Sequence, residues 1–148
     1  MRIATEGSKI DISSEKKLEE FTKNFIIKLK KGDIFFLFGE VGVGKTTFVK
    51  YLINSLQINF KDDVTEVTSP TFNIMNEYYV GNFTIKHYDL FRLKSSKEID
   101  ELNLFNDDKN EILFIEWPEV IKNIPNIVTK LYFEYENQYQ SRFIKIIR

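Results

Sequence analysis

Apolar residues recur at Leu18, Phe21, Phe25 and Leu29, in steps of three and four that lay a one-sided stripe along a helix. Ser13 or Ser14 can cap this helix, and Lys30-Lys31-Gly32 ends it, with cations in the last turn and glycine just beyond. A short extended segment, Arg2–Ile10, precedes it. Ile34-Phe35-Phe36-Leu37-Phe38 is apolar at every position, the pattern of a strand covered on both faces. A glycine-rich loop follows, and then a helix is predicted from Lys45 to about Leu56. Two β-like runs, Thr71–Val80 and Phe83–Leu93, flank Gly81-Asn82, a two-residue hairpin signal. Ser95-Ser96-Lys97-Glu98 reads as a capping box that opens a short helix through Leu104. Ile112-Leu113-Phe114-Ile115 is a second buried strand ending on Glu116, and Val128–Glu136 and Arg142–Ile147 predict two more.

Helices alternating with strands, with one hairpin among them, predict an α/β fold with a mixed parallel and antiparallel central sheet. At 148 residues the chain suits one domain over 1–148, and 14 Phe with 7 Tyr supply ample core. The sequence has no internal repeat, low-complexity tract or Pro/Gly-rich linker. Lys and Arg number 21 against 22 Asp and Glu, so a broad nucleic-acid footprint, which needs a basic excess, is not expected. There are no cysteines, which excludes disulfides, thiolate metal sites and a Cys nucleophile. No stretch approaches the ~20 apolar residues of a membrane span, and the N-terminus lacks a signal-peptide core, so a cytoplasmic location is expected.

The chemistry concentrates in Gly39-Glu40-Val41-Gly42-Val43-Gly44-Lys45-Thr46, which matches the phosphate-loop pattern GxxxxGK[ST] at every defined position. Glycines let the backbone curl so that N–H groups point inward at phosphate oxygens, and the following helix aims its positive end at the same anion. Lys45 is placed to reach the β and γ phosphates of ATP, and the Thr46 hydroxyl to bind Mg2+. The loop lies between a buried strand and a helix, the context the motif requires, so a three-layer P-loop NTPase fold is expected.

Such a loop needs an acid at the end of another buried strand, and Glu116 is one; it can equally be a solvated strand end. Asp89, in His87-Tyr88-Asp89-Leu90-Phe91-Arg92-Leu93, faces a cleft, a cation or water, or else pairs with Arg92 or Lys86 on the strand's polar face. His87, the one histidine, reads as a core or surface residue. Thr68-Ser69-Pro70-Thr71-Phe72 is a turn leading into the strand or a mobile loop that senses a γ-phosphate. Trp117 reads as core at a helix start.

A D-x-x-G switch is absent, and Thr129-Lys130-Leu131-Tyr132 has Tyr where a guanine reader carries its acid, so GTP is not expected. A small-molecule kinase is the runner-up, weakened by a supply of arginine limited to Arg2, Arg92, Arg142 and Arg148. A switch that binds nucleotide without hydrolysing it is the third reading. Without a clear arginine finger, though Arg92 is a candidate, a slow ATPase is expected.

Four blocks in order, Gly39–Thr47, Thr68–Phe72, His87–Leu93 and Ile115–Pro118, together resemble the bacterial TsaE (YjeE) family, whose blocks read G-D-L-G-A-G-K-T-T, S-P-T-F/Y, H-x-D-x-Y-R-L and E-W-P. The resemblance runs over nearly the whole chain. It implies the ATPase component of the machinery that makes tRNA threonylcarbamoyladenosine, docking on the proteins TsaD and TsaB and meeting tRNA only through them. It also implies that Gly39, Glu40, Val41, Gly42, Val43, Gly44, Lys45, Thr46 and Thr47 bind ATP, with Ser69 and Trp117 beside it. Thr46 and Glu116 would hold Mg2+, and Asp89, Lys45 and Thr71 would carry catalysis. The departures are Glu40 for Asp, Val41 for Leu, Val43 for Ala and Phe91 for Tyr; none removes a phosphate or metal ligand.

Overall fold

A computed structural model of the chain describes residues 8–106 and 108–148. The strands are β1 (Lys9–Asp11), β2 (Ile34–Phe38), β3 (Met75–Val80), β4 (Phe83–Asp89), β5 (Glu111–Glu116), β6 (Thr129–Glu136) and β7 (Ser141–Ile147). The helices are α1 (Glu15–Ile27), α2 (Lys45–Asn59) and α3 (Ser96–Glu101), with a 3-10 turn at Pro118–Val120. The strands form one 7-stranded sheet in the order β1-β7-β6-β2-β5-β4-β3. Neighbours from β6 through β4 run parallel, while β1, β7 and β3 pair antiparallel at the flanks, so the expected mixed α/β sheet is present.

The all-apolar β2 lies at the middle because both its faces are covered. Phe35 and Leu37 join the cluster beneath α1 and α2, whereas Phe36 joins Leu90, Leu93, Ile99 and Ile115 on the opposite face. Helices on both faces make three layers, the second helical layer being thin. Phe48 on α2, fully buried, is where the first cluster meets: its ring lies 5.7 Å from Phe21, 5.2 Å from Phe25, 6.2 Å from Phe114 and 5.8 Å from Phe133. Such edge and tilted contacts add to the large area each ring buries and fix the first turn of α2 against α1, β5 and β6.

Capping follows the predicted chemistry. Ser14 Oγ accepts from Lys17 N at 3.2 Å at the start of α1, and Ser95 Oγ accepts from Glu98 N at 3.2 Å at the start of α3. The extended segment expected over Arg2–Ile10 falls mostly outside the described residues; Lys9 and Ile10 belong to β1. Helix α2 runs past the predicted Leu56 to Asn59, and α3 stops before Leu104 because Asn103 turns left-handed at φ 49°.

The hairpin is shorter than its apolar runs predict. β3 begins only at Met75, since Ile74 N bonds back to Pro70 O at 2.7 Å and Ile74 adopts φ 70°. β4 ends at Asp89, where Phe91 N turns back to Asp89 Oδ1 at 3.0 Å. Both departures divert the chain at the carboxyl edge of the parallel strands, the edge at which open α/β sheets carry their sites.

Candidate functional site

The site grows from the way β2 leaves the sheet. Gly39 stands at φ 146°, and a Cβ there would lie 2.7 Å from Phe133 O, so the turn out of β2 needs glycine. The loop then closes through Val43 N to Glu40 O at 3.3 Å and enters α2 at Gly44, whose φ of 117° again lies outside the range of other residues. Val43 buries its side chain completely in the core, which anchors the loop from beneath. Glu40 and Val41 are exposed. The backbone therefore curls between one buried anchor and the first turn of α2, leaving amides and the positive end of that helix facing a cleft.

The cleft is about 250 Å3 in volume and is lined by Val41, Gly42, Gly44, Lys45, Thr46, Thr47, Ser69, Thr71, Asp89, Phe91, Glu116 and Trp117. Of the residues expected to bind nucleotide, Gly39, Glu40 and Val43 stand outside this lining and can take part only through the loop's backbone.

Strand register assembles the acids. Asp89 on β4 pairs with Glu116 on β5, and both carboxylates are buried, at 5% and 4% exposure. Thr46 Oγ1 donates to Glu116 Oε2 at 3.2 Å, so a first-turn hydroxyl of α2 meets the carboxylate at the end of β5. Thr71 Oγ1 donates to Asp89 Oδ2 at 3.0 Å and lies 2.7 Å from Ser69 Oγ. The pairing of Asp89 with Lys86 or Arg92, open from the sequence, is not what forms: Lys86 binds Glu111 at 2.5 Å, and Arg92 lies over the Phe72 ring at 5.7 Å.

Lys45 is buried, an unusual state for an ammonium group unless it is paired. Its Nζ donates to Gly39 O, lies 3.9 Å from Glu116 Oε1 and sits 4.3 Å from the centre of the Trp117 ring. Burial pushes its pKa below the ordinary 10.5, opposed by the negative charges of Glu116, Asp89 and Glu119. Trp117 stands at a helix start and packs against the core from its edge: half-buried at φ 58°, it caps the 3-10 turn and lies on Phe91 with ring centres 4.9 Å apart. A tryptophan in the left-handed region is strained, and such strain concentrates at working sites.

His87 was legible only as a bland core or surface residue, yet it belongs here. It is fully buried, and its Nε2 lies 2.6 Å from Glu116 Oε2. A usable signal was its place two residues before Asp89 on one strand, which puts both on the same face.

As a donor set, Thr46 and Glu116 are hard oxygens, with Asp89 close by. They suit Mg2+, which takes one or two protein ligands and completes its shell with water and phosphate oxygens. The described residues hold no group of three or more His, Cys, Asp and Glu able to cage a metal. Among the described residues no helix is long and apolar enough to cross a membrane.

Fold and site define an α/β protein whose mixed sheet opens its parallel edge into a glycine-rich loop, with a buried lysine and two buried acids around it. The profile of the family described as threonylcarbamoyl adenosine biosynthesis protein TsaE matches residues 12–144, and the chain belongs to that family. Relatives carrying the name tRNA threonylcarbamoyladenosine biosynthesis protein TsaE include one from Rickettsia typhi, 40% identical over 113 residues and 76% of each chain. Another, from Borreliella burgdorferi, is 38% identical over 117 residues, covering 78% of this chain and 81% of the relative. The crystal structure of Bacillus subtilis YdiB superposes with a TM-score of 0.69 at 22% identity, over 93% of this chain and 82% of that one, which shows a shared fold.

Proposed function

We propose that this protein binds and hydrolyses Mg·ATP in support of tRNA threonylcarbamoyladenosine formation, acting on a TsaD–TsaB complex. The observation that carries the chemistry is the convergence of Thr46, Glu116 and Asp89 on the cleft that also holds the Lys45 ammonium. The biological setting rests on family membership and on relatives named for that pathway.

In this reading the amides of Gly42 to Thr46 grip the β and γ phosphates, and Lys45 exchanges the Gly39 carbonyl for phosphate oxygen. Thr46 and Glu116 would hold Mg2+, which would supply neutralisation of phosphate charge. Asp89, oriented by the Thr71 hydroxyl, positions the water that attacks the γ-phosphorus as the bond to the β–γ bridging oxygen breaks. Ser69 and Thr71 carry the γ-phosphate-responsive segment, and Trp117 positions Lys45. Arg92 rests on Phe72 rather than in the cleft lining, so among the described residues no arginine lines the cleft beside Lys45. Turnover alone is therefore slow, by as much as ~10³-fold or more relative to a completed site, and a partner accelerates it. The net charge of −1 suits a protein-directed role with tRNA reached through the partner.

The test is phosphate release from ATP by the protein alone and with saturating TsaB and TsaD. Stimulation at least tenfold supports the reading; an unchanged rate with ATP bound removes the partner assignment.

A further inference from the structure

Helix α1 stops short of the sheet it covers. Its last residue is Ile27, and the chain then turns within residues 28–33, where Lys30 N donates to Asp33 Oδ2 at 2.7 Å and Asp33 N to Lys30 O at 3.1 Å. Past the helix end lies a cavity of about 470 Å3, nearly twice the 250 Å3 of the cleft at the glycine-rich loop. That volume falls in the ~300–1,000 Å3 span of small-molecule sites. The cavity opens at the start of β2 and β6 and the end of β7, whereas the glycine-rich loop leaves the other end of β2.

The floor is apolar and aromatic. Phe35 and Ile146 line it from the buried core beneath α1, and Phe25 stands by Phe35 with ring centres 5.1 Å apart. Thr129, the cross-strand partner of Phe35, adds one hydroxyl. The charges among the lining side chains are unequal: Lys28, Lys30 and Arg148 stand against one acid, Asp33. Asp33 is already engaged by the Lys30 amide and lies in the fields of Lys30 and Arg148, while burial holds its carboxyl above the usual range. The negative end of α1 also faces this region with roughly half a charge, which Lys28 and Lys30, directly after the helix, more than offset. Ring surface below a surplus of cations fits a ligand whose apolar body buries against Phe25 and Phe35 and whose negative group meets ammonium or guanidinium.

We propose that this cavity is a second binding site, for a small aromatic organic anion, at the edge of the sheet opposite the glycine-rich loop. It shares no residue with the nucleotide site and stands or falls apart from it. The test is amide NMR on the isotope-labelled full chain, titrated with biphenylcarboxylate and with the uncharged biphenylcarboxamide of the same shape. The carboxylate is expected to give saturable shifts at Leu29, Lys30, Asp33 and Thr129, to bind about fivefold tighter than the carboxamide, and to stay bound when Mg·ATP is added. Ile27 is 78% exposed on the cavity wall, so Ile27→Glu combined with Lys28→Glu reverses the local sign without touching the core. In that variant the carboxylate should weaken about tenfold or more, with the carboxamide affinity and the melting temperature unchanged. The absence of saturable shifts, equal affinity for the two ligands, or a carboxylate affinity unmoved in the variant overturns the proposal. Displacement by Mg·ATP overturns it too, since it would put the anion in the cleft at the glycine-rich loop.

Discussion

His87 Nε2 and Glu116 Oε2 lie 2.6 Å apart inside the sheet, in a contact from which solvent is wholly excluded on the histidine side. Glu116 Oε2 thus has two partners, the His87 ring and the Thr46 hydroxyl at 3.2 Å, and these fix where that oxygen points, while Oε1 faces Lys45 Nζ at 3.9 Å. His87 is not part of the cleft lining and bears on it by its bond to Glu116, which makes it a positioning residue.

His87→Phe keeps the ring volume and removes that hold. Loss of such an outer partner weakens metal dependence about 10- to 100-fold. The expected outcome is a matching rise in the Mg2+ concentration needed for half-maximal ATP hydrolysis, with metal-free nucleotide binding little changed. A purely structural role would lower the melting temperature and leave the Mg2+ requirement where it was; His87→Asn, which keeps a donor, should recover part of the metal affinity.

Lys45 is buried at a cost to the empty protein. Lys45→Met should abolish ATP binding in calorimetry, yet raise the stability of the nucleotide-free protein by about 1 kcal/mol, roughly 3 °C in melting temperature. The sign follows from burial outweighing the attraction of Glu116, Asp89 and Glu119, which holds the folded pKa under 10.5. The unfolded chain then binds the proton more tightly, and the penalty is present in full below the lowered pKa. It fades as pH rises toward 10.5, so the gain of the variant over wild type should shrink in alkaline melts. A variant less stable than wild type at neutral pH would show that the ion pair outweighs desolvation.

Asp89→Asn preserves size and the Thr71 hydrogen bond but removes the charge. Mg·ATP affinity should change less than about threefold, while single-turnover hydrolysis falls by roughly 10²-fold or more. Thr71→Val, which leaves Asp89 Oδ2 without its donor, should lower the same rate by about tenfold. An Asp89→Asn protein that turns over normally would remove Asp89 from the chemistry.

Trp117 is the only tryptophan, and the Lys45 ammonium sits 4.3 Å from its ring centre. When Lys45 moves to phosphate, the indole loses a close cation, so intrinsic fluorescence should change on adding ATP and saturate with the calorimetric affinity. The change should vanish in Lys45→Met. A signal that persists there with unaltered amplitude would place its origin elsewhere.

Gly39→Ala tests the loop's foundation. A Cβ 2.7 Å from Phe133 O at φ 146° cannot be absorbed without moving β6, and a cost of at least ~2 kcal/mol is expected in chemical denaturation.

Much of the fold was legible because its signals are local. The apolar run Ile34–Phe38 marks the central strand without reference to any partner, and the glycine spacing from Gly39 to Gly44 marks the loop. The ends of the hairpin were not legible: Thr71–Ile74 and Leu90–Leu93 carry strand-like residues, but backbone bonds from Ile74 to Pro70 and from Phe91 to Asp89 turn the chain away. Trp117 looked like core because its composition says so, whereas its burial depends on which residues the 3-10 turn places around it.

The sequence by itself determined the type of fold, the loop and the family, because periodicity, glycine spacing and ordered motifs are properties of neighbours along the chain. Only the tertiary structure decided that Glu116 meets Thr46 and His87 rather than solvent, that Asp89 is held by Thr71 rather than by Lys86, and that the Tyr135 hydroxyl donates to Gly42 O in the loop. Those contacts join residues up to 93 positions apart, and strand order and register, which set them, are fixed by how the whole sheet buries its two faces.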